Sequence, residues 1–335
     1  AAGLIPDAAR ATAVRVGARY SIGVTPEMAA LIDRRNKADP IALQFLPDER
    51  ELTVLPEEMK DPIGDEAHSP LPGLVHRYPD RALIKVVAVC PVYCRFCFRR
   101  EMIGSNGDGA LTGEQISAAL AYIAAHPEIV EVIMTGGDPF LLAPRRVSEI
   151  TRALVAMKNV QSIRWHTRVP IVDPSRITEE FIEALRPMEK AVYVGVHANH
   201  PGEFTENARG ALARLARAGV VLVSQSVLLR GVNDDIETLA ALMRAFVANR
   251  VKPYYLHQLD LAPGTSHFRV SIKEGQALMR ALRGRLTGLA QPTYVIDIPG
   301  GAGKSPIGPV YVSDDGATIE DYRGRAHRYP PSADS

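Results

Sequence analysis

The sequence predicts an α/β protein built on a partial (β/α)6 barrel, TIM-like in its winding, with N-terminal and C-terminal extensions. Three observations predict it. From residue 81 onward, short apolar runs alternate with helix-length segments in six β/α units, the pattern of a parallel sheet with right-handed crossovers. Glycines and polar residues collect where the apolar runs stop, as they do when function sits at the carboxyl ends of barrel strands. A chain of 335 residues with 46% hydrophobic content can bury one large core, so one main domain with extensions is expected.

Residues 1–80 are expected to be a helical and extended segment lying on another surface. Prolines from Pro26 to Pro79 punctuate it. Thr25 can cap a short helix that carries Pro26 at its first position. The opening stretch, with Arg10, Arg15 and Arg19, reads as an ordinary amphipathic start rather than a transit peptide. The barrel is expected over 81–290. Its first strand, 83–89, is a nearly continuous apolar run, which fits burial on both faces. Helix 112–125, strand 130–135, helix 147–157, strand 162–166 and helix 179–185 follow. Strand 192–196, helix 205–218, strand 220–227, helix 236–247 and strand 253–257 complete the alternation. Residues 291–335 are expected to form a glycine-rich lysine loop and an extension.

Composition excludes several classes. Net charge is +1 with both signs mixed along the chain, so no electrostatic footprint for nucleic acid is present. No apolar run approaches the roughly 20 residues of a membrane span. Three cysteines in one cluster do not make a disulfide framework. A reduced, cytoplasmic protein is expected.

All three cysteines lie in Cys90-Pro91-Val92-Tyr93-Cys94-Arg95-Phe96-Cys97, at the end of the first predicted strand. Gaps of three and two residues let a compact loop present three thiolates to an iron–sulfur cluster. Full ligation takes four, so one iron of a four-iron cluster keeps an open position that can bind a ligand. Zinc also accepts three thiolates and a histidine, but its structural sites come as spaced ligand pairs and no His lies beside this loop. Arg95, Arg99 and Arg100 flank the cysteines, either as a solvated basic face or as partners for a ligand carboxylate.

This spacing is that of the radical S-adenosylmethionine (radical SAM) enzymes, and Cys90 through Arg100 resembles their lysine 2,3-aminomutase branch, including the member that prepares β-lysine for elongation factor P. The resemblance covers residues 65–312. It implies a [4Fe-4S] cluster on Cys90, Cys94 and Cys97 whose open iron is chelated by S-adenosyl-L-methionine, giving a 5′-deoxyadenosyl radical. Thr135-Gly136-Gly137-Asp138 matches the motif that meets the methionine amino group; alone it reads as a tight strand-to-helix turn or as exposed N–H groups beside a ligand. His197 and Gln225 match positions that look towards the nucleotide and cofactor, and Arg77 and Arg81 match two arginines near a cofactor phosphate.

Asp297 through Pro306 includes Gly300, Gly301, Gly303 and Lys304. A nucleotide-triphosphate loop fails at its first glycine, where Ile298 stands. The run resembles the aminomutases' pyridoxal 5′-phosphate lysine loop, which implies that Lys304 forms the cofactor aldimine. A lysine substrate tethered by its α-amino group leaves an ε-ammonium that needs acids around it. Asp260 and Asp297 match the family's two acids, and Arg99 its carboxylate partner. The expected activity interconverts L-lysine and β-lysine, with an external electron donor such as flavodoxin or ferredoxin, in a homo-oligomer. The alternatives are the same reaction serving elongation factor P, or a radical SAM enzyme acting on another amino acid. An electron-transfer protein or a radical activase would have no use for Lys304.

Overall fold

The computed structural model describes residues 3–104, 109–186 and 189–331. The ends of the expected outer segments, 1–2 and 332–335, lie outside these. Three short helices open the chain: α1 (Arg10–Gly17), α2 (Pro26–Leu31) and α3 (Pro40–Phe45). α2 starts as its sequence dictates, with the Thr25 hydroxyl accepting from the Met28 N–H and Pro26 needing no donor.

A hairpin of β1 (Leu74–Tyr78) and β2 (Arg81–Val87) then leads into the alternating region. There follow α4 (Gly113–Ala125), β3 (Glu131–Gly136), α5 (Pro144–Ala156), β4 (Ser162–Thr167), α6 (Val169–Val172) and α7 (Glu179–Leu185). β5 (Ala191–His197), α8 (Glu206–Arg217), β6 (Val221–Val227), α9 (Ile236–Ala248) and β7 (Val251–His257) complete the six expected units. Helix starts fall at side chains that can cap them. Thr112 and Gln115 form a reciprocal capping box, Thr178 caps Phe181, Thr205 caps Ala208 and Asp235 caps Thr238.

Beyond β7 the chain adds α10 (Ile272–Leu282), β8 (Thr293–Ile298) and β9 (Gly303–Pro306), then a small hairpin of β10 (Thr318–Glu320) and β11 (Ala326–Arg328). Among the described residues one nine-stranded sheet runs in order from β1 to β9. β2 to β8 are parallel, and β1 and β9 add antiparallel at the two edges. Three strands thus lie outside the six expected, and the sheet crosses both expected segment boundaries, at 80 and at 290. The two edges meet where the Lys304 N–H donates to the Tyr78 hydroxyl at 2.6 Å, and the barrel is nearly closed.

Strand alternation separates two environments. Val132 and Met134 of β3, and Ile163 and Trp165 of β4, are fully buried beneath the helices. Each such side chain contributes about 1.5–3 kcal/mol relative to exposure. Their neighbours Ile133, Thr135, Arg164 and His166 turn inward and line a cavity.

Candidate active site

The barrel interior is a cavity of about 370 Å³. Every site residue expected from the sequence lines it: Cys90, Cys94 and Cys97; Arg77, Arg81 and Arg99; Gly136, Gly137 and Asp138; His197 and Gln225; Asp260, Asp297 and Lys304. β2 delivers the cysteines, β5 and β6 deliver His197 and Gln225 as register partners, and the β8–β9 hairpin delivers Asp297 and Lys304.

The three thiols are half-buried on the cavity wall. Burial pushes the Cys97 thiol up to about 11 and raises that of Cys90 well above its usual value, with the neighbouring thiols adding to both shifts. Cys94 receives a hydrogen bond from Arg168 Nη1 at 2.9 Å. The arginines beside the cysteines are not a solvated face. Arg95 and Arg100 are buried and both pair with Glu51, Arg95 at 2.6 Å. Arg99 is buried too, held by Asp65 at 3.1 Å and by the Thr135 hydroxyl at 3.1 Å. Three of its five N–H groups are thereby used, and one on each terminal nitrogen remains for a ligand.

The Gly136-Gly137 turn corrects one expectation. Its N–H groups do not face the cavity unpaired: Gly137 donates to the Val87 carbonyl at 2.5 Å and Asp138 to that of Val89 at 2.9 Å. A Cβ at Gly136 or Gly137 would come within 2.2 Å of those same carbonyl oxygens. The glycines therefore let β3 lie backbone to backbone against the exit of β2, and so fix the start of the cysteine loop. Asp138 is buried and its carboxylate accepts from Phe140 N, Thr167 Oγ1 and Arg168 N at 3.0, 2.6 and 2.7 Å.

The opposite wall carries the amine. Lys304 stands on β9, not in a loop, directly across from Asp297 on β8, with Nζ 2.6 Å from Oδ1. Burial would raise the Asp297 carboxyl, but His257 at 3.7 Å and the Lys304 charge outweigh it and hold that carboxyl well below the usual range. The Asp260 carboxyl is pushed up to about 7, by burial first and then by the Asp297 charge. Arg77 donates to the Ile63 carbonyl at 2.6 Å and to Asp65 at 3.2 Å, while its buried Nε has no partner among the described residues. Arg81 lies over the Tyr78 ring at 3.7 Å.

Several cavity residues were not singled out by sequence. Asp65 anchors both Arg77 and Arg99 from within the proline-rich segment, where no periodicity marks it. His166 contacts Gln225 at 3.2 Å, and burial holds the imidazoles of His166, His197 and His257 in their neutral form, with His197 at about 3. His166, Thr167 and Arg168 stand at the end of a strand expected from the sequence, as His197 and Gln225 do, and strand-end position is the signal that could have found them.

A family model described as the Radical SAM superfamily matches residues 84–243, from β2 into α9. Fold and thiol loop thus define a radical SAM enzyme. A second, described as Lysine-2,3-aminomutase, matches residues 279–333. L-lysine 2,3-aminomutase of Fusobacterium nucleatum is 40% identical over 89% of this chain and 70% of its own length. L-lysine 2,3-aminomutase of Escherichia coli is 40% identical over 86% of this chain and 83% of its own, and glutamate 2,3-aminomutase of Clostridioides difficile 38% over 90% and 71%. The chain belongs to the lysine 2,3-aminomutase family of radical SAM enzymes and is an aminomutase.

Membership implies a four-iron cluster and S-adenosylmethionine, and the donor set fits. Among the described residues no three His, Cys, Asp or Glu side chains converge on one point, as a single metal ion requires. A cluster asks for less, since each thiolate binds a different iron. Three thiols on one cavity wall satisfy that. No helix of the described residues is long and apolar enough to cross a membrane.

Proposed function

We propose that the protein interconverts L-lysine and β-lysine, with the cluster on Cys90, Cys94 and Cys97 and pyridoxal phosphate on Lys304. The observation that carries this is the meeting of three thiols, a lysine amine and two acids in one cavity of about 370 Å³. When bound, the cluster and S-adenosylmethionine supply a 5′-deoxyadenosyl radical, and pyridoxal phosphate supplies an aldehyde that takes up amines and delocalises unpaired spin.

The chain's own residues do the positioning. Lys304 Nζ sits 2.6 Å from Asp297 Oδ1, which holds the amine at a fixed place on the cavity wall, and it is the nucleophile in its neutral form. Arg77, with its unpartnered Nε, and Arg81 offer guanidinium groups beside the Lys304 strand, suited to a phosphate. Asp260 and Asp297 receive the substrate ε-ammonium, and an arriving cation lowers the Asp260 carboxyl that now stands near 7. Arg99 offers its two remaining N–H groups to the substrate carboxylate. Gly136, Gly137 and Asp138 hold the cofactor wall in place, and His197 and Gln225 present neutral hydrogen-bonding groups to the nucleotide side.

A glutamate substrate would bring a carboxylate to Asp260 and Asp297, and the repulsion disfavours that reading. The same proposal extends to a reduced, cytoplasmic setting, supported by three free thiols, where flavodoxin or ferredoxin reduces the cluster. It includes a homo-oligomer, supported by Val310, Val312 and Tyr322 exposed in the C-terminal segment. The test incubates reduced, reconstituted protein with lysine, S-adenosylmethionine and pyridoxal phosphate, and looks for β-lysine. Lys304→Ala with a full cluster should lose at least a hundredfold in rate; undiminished turnover overturns the assignment of Lys304.

A further inference from the structure

Arg168 follows β4 and is buried, with its guanidinium held on three sides. Nη1 donates to Cys94 Sγ at 2.9 Å. Nη2 donates to Glu203 Oε2 and to Gln44 Oε1, both at 2.6 Å. Glu203 is fully buried and its second oxygen accepts from the Asn199 and His200 N–H groups at 2.9 Å. The Arg168 backbone N–H donates to Asp138, so the main chain is fixed as well. Among the described residues, Cys94 is the one cysteine whose sulfur receives a side-chain hydrogen bond.

We propose that Arg168 is a positioning residue that raises the reduction potential of the cluster by donating a charged hydrogen bond to the Cys94 sulfur. With the cluster bound that sulfur would be an iron-bound thiolate, a better acceptor than a thiol. One-electron reduction, by a low-potential donor, adds negative charge that spreads over irons and sulfurs. A fixed N–H and a cation aimed at one sulfur favour the more negative state, and the burial of Arg168 and Glu203 strengthens the effect. Glu203 offsets part of the arginine's charge, so the pair sets the field and its removal from either side has a predictable sign.

The inference rests on a cluster at Cys90, Cys94 and Cys97, which iron and sulfide content checks separately. Wild-type protein, R168Q, R168K and E203Q are reconstituted anaerobically, assayed for iron and sulfide, and titrated with dithionite while the reduced-cluster EPR signal is followed. R168Q at full cluster content should show about a tenfold smaller reduced-to-oxidised ratio at fixed potential, a midpoint lower by about 59 mV for a one-electron couple. R168K keeps the charge and should fall between R168Q and wild type. E203Q leaves Arg168 uncompensated and should move the midpoint upward. A packing role alone would change cluster content or stability and leave the midpoint of loaded protein where it is. An unchanged midpoint in loaded R168Q overturns the proposal. If R168Q does not hold a cluster, an E203Q midpoint at or below wild type does so. Wild-type protein that takes up no iron removes the cluster assignment and this role together.

Discussion

Two aspartates carry opposite electrostatics. Asp65 is buried against Arg99, Arg77 and Lys85, at 3.1, 3.2 and 3.7 Å. Burial alone would raise its carboxyl, but the Arg99 and Lys85 charges outweigh that and lower it. A depressed folded pKa gives stability that is present above the unfolded value and lost as pH falls through the folded one. Asp65→Asn strands buried cations and should cost about 3–5 kcal/mol in denaturant unfolding. Asp260 is the reverse case, raised to about 7 by burial and by Asp297. Between its unfolded value near 3.8 and its folded value near 7 the native state binds the extra proton, so stability falls as pH rises through that window. Asp260→Asn should therefore gain melting temperature relative to wild type between pH 5 and pH 8. The proposed substrate role adds an opposite demand: KM for lysine should rise as pH falls below about 7, because a protonated Asp260 no longer holds an ammonium. A pH-independent KM would remove Asp260 from the substrate site.

At the scale of elements, the edge strands do what the parallel core does not. β1 and β9 are antiparallel additions that bring Arg77 and Lys304 to the same rim. Their junction is the Lys304 N–H on the Tyr78 hydroxyl, supported by the contact of His68 Nε2 with the Gly301 carbonyl at 3.1 Å. Gly64 and Gly301 also touch through their backbones, since a Cβ at Gly64 would lie 2.6 Å from Gly301. Tyr78→Phe should cost about 0.5–1.5 kcal/mol, read as a lower denaturation midpoint with an unchanged slope. An unaltered midpoint would mean that the edges close without this bond. Elements of the parallel core were legible because apolar alternation and capping residues are local: α7 falls at 179–185 as expected, and α4 begins one residue after Thr112. β8 carries a comparable apolar run, Tyr294-Val295-Ile296, but its neighbours Asp297 and Gly300 to Lys304 read as a loop. Only pairing with β7 makes it a strand, and only pairing with β8 makes Lys304 part of one.

Over the whole molecule, the segment before β1 is the source of counter-charge for the cysteine loop. Glu51 receives Arg95 and Arg100, and Asp65 receives Arg99. What sequence describes as an extended arm lying on another surface is, in the fold, the anion supply of a basic loop that would otherwise repel itself. Of the residues that line the cavity, the thiols were recognisable because they come in one short run, and the other expected site residues because their positions match motifs of a known family. Their partners were not, since an ion pair such as Glu51 with Arg95 has no spacing rule. By itself the sequence determined the order of the core strands and helices and the location of the thiol loop, because periodicity, capping and motif spacing act over a few residues, while the acids and amine proposed for the site came from resemblance to a family. Tertiary structure alone decided which charge meets which and that the glycine pair serves strand packing, because those contacts join segments far apart in the chain, and it placed Lys304 across from Asp297 because β8 becomes a strand, able to pair with β9, only against β7.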